Sequence, residues 1–280
     1  VNINKLTIQS SGSLSFSNSG DYSLGVNNAG GFINVQSGSV ISGGSRNSRI
    51  TFKTANDQEL IVNGSINGLY DLEFTNSGRT ITISGAGDIS IRARIYISTY
   101  ENITVVNNSG GTITTGDDVY FSSNADGSRF VNNGTLELQD DLEFRGESCE
   151  FINNGDVSIY HDLITFGNNT VLVNNAGSSV SVRNNLDANL QRFAIDNYGD
   201  FILGNDFVDI QSNEVFVNNR AGTFTWNGYN CDPQLVLRCN FDSNEFIYGG
   251  NLNQDIIIPQ DNYWNLTTTT GGTRIFNNDI

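Results

Sequence analysis

The stretch FVNNGTLEL, Phe130 to Leu138, returns 21 positions later as FINNGDVSI, Phe151 to Ile159. The shared phrase is an apolar pair, two asparagines, a short gap, a glycine and an alternating strand-like triplet. It recurs as LVNNAG at 172–177, AIDNYG at 194–199 and FVNNRAG at 216–222. Aligned on its first polar residue, the phrase falls at Asn132, Asn153, Asn174, Asp196 and Asn218, with spacings of 21, 21, 22 and 22. A second polar column follows at Asn133, Asn154, Asn175, Asn197 and Asn219. Looser copies stand earlier, at Val26 to Gly30, Phe74 to Gly78 and Val106 to Gly110.

The intervals between the phrases align as well. After the glycine come Leu136, Val157, Val180, Phe201 and Phe224, and two residues later Leu138, Ile159, Val182, Leu203 and Trp226. This period of two marks a strand. A second apolar column holds Leu142, Leu163, Leu186 and Phe207 after polar corners, and a third climbs back through Cys149, Val171, Phe193 and Val215. Each repeat therefore contains three short strands and three corners. A unit of this size cannot bury its own apolar face and must stack on its neighbours. The expected fold is all-β, a single-stranded parallel β-solenoid of about 21–22 residues per coil with asparagine ladders at its corners. The chirality rule for parallel crossovers favours right-handed winding.

In such a stack a corner asparagine can hydrogen-bond its equivalent one coil away and tolerates the left-handed conformation, while glycine supplies positive φ. Both residues of the apolar pair recur, so which column faces inward is open at this stage. An outward apolar row would leave a stripe able to meet a partner.

No linker divides the chain, and one continuous solenoid is expected over 1–280: irregular coils with longer loops over 1–128, regular coils over 129–226, and coils with a protruding loop over 227–280. The opening VNINKLTIQS resembles neither an initiator segment nor a signal peptide, which suggests a fragment or processed part of a longer chain. Open solenoid ends expose unpaired strand edges. The expected partners are thus further coils, supplied by covalent continuation or by end-to-end self-association, with surface glycans or other cells as further candidates.

Composition removes other classes. Roughly 40 asparagines and 30 glycines accompany 17 Phe and 10 Tyr, enough aromatic mass for a core. The net charge is -16 and the only lysines are Lys5 and Lys53, which disfavours nucleic acid and anionic membrane surfaces. No run of 18 apolar residues is present, so no membrane insertion by a helix is expected. Three cysteines, Cys149, Cys231 and Cys239, make no disulfide framework, although Cys231 and Cys239 could close a short loop.

Parallel β-helices also host carbohydrate lyases and hydrolases. Asp117, Asp118, Asp140, Asp141, Asp162 and Asp206 supply acids, and His161 lies among them, but corners select Asp and Asn for turn geometry alone. No GxSxG, HExxH or P-loop occurs, and no catalytic, cofactor-binding or metal residue is assigned. Calcium is a minor candidate, since the GGxGxDx nonapeptide that binds it in solenoids is absent. Threonines 267–270 do not recur from coil to coil as an ice-binding face would require. A glycan-binding module would need exposed aromatics such as Tyr198, Tyr229, Tyr263 and Trp264 on one face, whereas Trp226 belongs to the core column.

The segments INGLYDLEFTNSGRTITISGAGDISI at 66–91 and IPQDNYWNLTTTTGGTRIF at 258–276 resemble phrases of the very large repetitive surface proteins exported by type 9 secreting, often gliding bacteria. These phrases cover about a sixth of the chain; NNxG coils, also common in such proteins, cover most of the rest. The resemblance implies a secreted or cell-surface adhesin or fibre segment, non-catalytic, used in adhesion or surface motility. The C-terminal sorting domain of those proteins has no counterpart in this sequence.

Overall fold

The computed structural model describes all residues except 18–20, 27–29, 45–46, 54–55, 76–77, 99–101, 190–191, 212–213, 240, 242, 270 and 276–280. Among the described residues every regular element is a strand. The strands form three long parallel sheets, A, B and C, of 10, 11 and 12 strands, and a two-stranded sheet of Gln254–Asp255 and Arg274–Ile275. Up to Trp226 every third strand of the chain is a neighbour in the same sheet, so the chain winds A, B, C and returns to A one coil further on; beyond it, among the described residues, only sheets B and C gain strands. This is a β-solenoid of about 11 turns, roughly 50 Å long at the spacing of adjacent strands. No helix of the described residues is long and apolar enough to cross a membrane.

One coil shows how the sequence builds the rest. Arg129–Asn132 lies in sheet B, Thr135–Leu138 in sheet C and Leu142–Phe144 in sheet A, before Glu150–Asn153 re-enters sheet B. Leu136 and Leu138 point inward and are fully buried, and the same holds along sheet C at Phe201, Phe224 and Trp226. Equivalent rings superimpose: Phe201 and Phe224 stack at 4.8 Å, and Phe224 and Phe246 at 5.3 Å. The Trp226 indole donates to the Asn205 carbonyl at 2.9 Å, which satisfies its only polar atom inside the core.

Sheet B decides between the two apolar columns. Phe130 pairs with Phe151, then Leu172, Ile195 and Val217, and all five are fully buried. Val131, Ile152 and Val173 face outward and are half-buried. Ala194 and Phe216 stand opposite Val171 in the other outward column, so the sequence alignment slips by one residue there. The re-entry column slips at one coil too: Thr170, not Val171, stands opposite Phe193. Its hydroxyl meets that of Thr165 at 3.0 Å, a buried polar pair.

The glycine after the asparagines works differently from expectation. Gly177 alone of the five regular copies has the expected positive φ, 79°; Gly155 and Gly222 do not, and a Cβ on either would lie 2.2 Å or 2.0 Å from the carbonyl oxygen of the glycine one coil below. Close approach of stacked corners excludes a side chain there. Positive φ is concentrated instead at the corner from A to B, in the column Gly127, Ser148, Asn169 and Arg192, and no ladder asparagine adopts it. The early copies of the phrase at Val26 and Phe74 end sheet A strands and so belong to that other corner; Asn27, Asn28 and Asn76 lie outside the described residues. The restart at Ile275 likewise runs into undescribed residues, 276–278.

All three cysteines are free, and Cys149 and Cys239 are buried. The segment around Cys231 keeps the winding: Cys231 bridges in parallel to Phe207, in line with sheet A.

Candidate functional site

The most extensive polar arrangement lies at the corner from B to C. Asn107, Asn132, Asn153, Asn174, Asn197 and Asn219 form one inward ladder, all fully buried. Each Nδ2 donates to the Oδ1 of the next, at 2.7, 2.9, 3.0, 2.8 and 2.9 Å. The amide also closes its own corner. Asn153 Nδ2 donates to the Gly155 carbonyl at 2.9 Å and to the Ser179 carbonyl of the next coil at 2.8 Å, while its Oδ1 accepts the Gly155 N–H at 3.2 Å. Only a side chain with both a donor and an acceptor at this length meets those demands. In two longer corners a serine hydroxyl joins, Ser109 on Asn107 at 2.6 Å and Ser178 on Asn174 at 2.7 Å.

This ladder corrects the alignment on Asp196 and Asn218. Those two face outward opposite Val173, bonded to each other at 2.8 Å, and Arg220 caps Asp196 at 3.0 Å. Two residues inserted at Ala176–Gly177 lengthen one corner, so the inward spacings are 21, 21, 23 and 22. A second, exposed ladder joins Asn108, Asn133, Asn154 and Asn175, with bonds of 2.6, 2.6 and 2.5 Å. Its amides donate toward the N-terminal coils, opposite to the inward row. It ends where Tyr198 and Arg220 take the position.

The acids form a third ladder at the corner from C to A. The Asp118, Asp141, Asp162 and Asn185 side chains each accept the backbone N–H of the equivalent residue one coil on, at 3.2, 2.8, 2.8 and 3.2 Å, and Asp206 accepts from Tyr229 and Asn230. His161 Nδ1 lies 2.8 Å from Asp141, 3.3 Å from Asp162 and 3.5 Å from Asp140. The hydrogen bond to Asp141 holds the imidazole above its ordinary pKa. Burial, then the Asp117 charge, pushes Asp118 up to about 7, and burial raises Asp140 and takes Asp187 up to about 6.

Two trios, Asp117–Asp118–Asp140 and Asp140–Asp141–His161, bring one ligand atom each within 4.8 Å of one another. Either could supply hard oxygen donors, but calcium takes six to eight ligands, and Asp118 and Asp141 already hold backbone amides. The nearby guanidinium of Arg145 bonds Glu143 at 2.6 Å and lies over the Tyr120 and Phe166 rings. The aromatics considered for glycan binding are dispersed. Tyr229 follows sheet C, Tyr198 and Trp264 precede it, and Tyr263 is packed on the core with its hydroxyl 2.8 Å from Tyr248.

The pKa directions fix a pH dependence. Raised carboxyls and a raised imidazole both mean that the folded chain binds more protons than the unfolded one, from the ordinary carboxylate range to about pH 7. Stability therefore falls as pH rises through that window. Asp118→Asn keeps the acceptor, as Asn185 does naturally in the same column, and removes the charge. The variant is expected to melt a few degrees higher than the parent at pH 8 and at nearly the same temperature at pH 4. Equal shifts at both pH values would refute the assignment.

No family model, curated protein or solved structure matches this chain.

Proposed function

We propose that this chain is a non-catalytic, extracellular structural or adhesive segment, a piece of a stalk or filament on a bacterial cell surface. The observation that carries the reading is axial continuity. Each coil is tied to the next through three parallel sheets, and from Asn107 to Asn219 through a buried amide ladder. The long polar rows are used in coil-to-coil bonds, which suits an element that holds length and direction. The first strand of each sheet is bonded on one side only, an edge suited to another coil from the same chain or from a second copy.

The first test is the mass and location of the native polypeptide on its cells of origin, under denaturing and reducing conditions. A species far above 30.5 kDa that external protease removes from intact cells is the expected result for a stalk segment. A surface species near that mass, assembled into filaments, identifies a stacked subunit. A monomer protected inside intact cells refutes the proposal.

A further inference from the structure

Along the outer end of sheet C, one column of residues passes from Gln139 to Tyr160, Arg183, Gly204 and Asn227, each placed by a backbone bond to the preceding coil. The row of side chains is broken at Gly204. A Cβ there would lie 2.1 Å from the Arg183 carbonyl oxygen, so the backbone enforces the gap. The result is a shallow depression of about 350 Å³ lined by Ser158, Ser181 and Ile202 of the outward strand column and by Tyr160, Arg183 and Asn227 of the corner column.

We propose that this notch binds a carboxylate-bearing sugar unit of a glycan. Tyr160 and Ile202 are each 41% exposed and set a ring and an aliphatic surface beside Ser158, Ser181, Arg183 and Asn227. They suit the C–H face of a pyranose ring. The Ser158 and Ser181 hydroxyls and the Asn227 amide suit its hydroxyl edge. Arg183 is exposed and makes no side-chain hydrogen bond, ion pair or ring contact among the described residues. Its planar fork suits a carboxylate in two-point contact. Arg183 and Asn227 stand two strand spacings apart, roughly 9.6 Å, room for one ring between two side chains. The assignment goes beyond the structural role and does not depend on it: the notch is built by four successive coils of this chain, Tyr160 to Asn227, whatever the length of the parent protein.

The test is titration of the purified 280-residue chain with tetragalacturonate, with neutral galactotetraose and tetraglutamate as controls, followed by backbone amide shifts. The expected result is weak saturable binding of tetragalacturonate with shifts confined to the notch, and markedly weaker binding of both controls. Arg183→Gln should lower tetragalacturonate affinity about fivefold, the scale of an exposed ion pair, and leave galactotetraose unchanged. Tyr160→Ala should lower affinity for both sugars by a similar factor. Circular dichroism melts of both surface variants report folding independently. Shifts elsewhere on the molecule, equal binding of tetraglutamate, or affinity indifferent to both substitutions would overturn the proposal. None of these outcomes bears on the mass and location that test the stalk reading.

Discussion

Asn153→Leu is expected to destabilise the solenoid by about 3–4 kcal/mol, whereas Glu147→Ala, on an exposed corner, stays within about 0.5 kcal/mol. Leucine has nearly the same volume, so packing alone predicts little change. The cost is polar. The substitution removes the donor to the Gly155 and Ser179 carbonyls, the acceptor for the Gly155 N–H, and one ladder partner from each of Asn132 and Asn174, all at a fully buried position. A buried group left without a partner costs about 1–3 kcal/mol.

The N-terminal coils show that the column itself tolerates hydrocarbon. Leu6, Ile33, Leu60 and Ile83 occupy it in register, ending against Asn107. What is penalised is an apolar residue between two amides. Asn107→Leu loses one rung rather than two and should cost distinctly less than Asn153→Leu. Urea unfolding of the three variants measures this order. Equal midpoints for Asn153→Leu and Glu147→Ala would refute the ladder as a stabilising element.

The repeat made the fold legible because identical coils must solve the same packing problem at the same position. The phrase at Phe130 and Phe151 gives the three strands and three corners directly. Register was less legible. AIDNYG reads as a variant with Asp in the first asparagine position, yet Ile195 is the core residue and Asn197 the rung. The two residues inserted before Ser178 are taken up in a corner, and a corner insertion moves sequence spacing without moving the stack. A signal was present all the same, since Asn153-Asn154-Gly155-Asp156 and Asn197-Tyr198-Gly199-Asp200 align without a gap. The Gly204 notch was not legible, because it depends on which side chains neighbour a missing one across three coils.

The second large effect distinguishes the adjacent apolar residues that the sequence left unresolved. Phe151→Ala is expected to cost about 3–5 kcal/mol and Ile152→Thr less than about 1 kcal/mol. Phe151 is fully buried and stacks on Phe130 at 5.4 Å with the rings 4° from parallel, so truncation opens a cavity that a ladder fixed above and below cannot collapse. Ile152 stands outward between Val131 and Val173, half-covered by those neighbours. Threonine keeps its β-branched shape, and its hydroxyl faces water. Thermal or urea unfolding of the pair decides the register of sheet B, because a one-residue slip would exchange the two faces and reverse the order of the costs. The same experiment fixes the identity of the outward stripe: Val131, Ile152 and Val173 can be made polar without loss of fold only if Phe130, Phe151 and Leu172 supply the core.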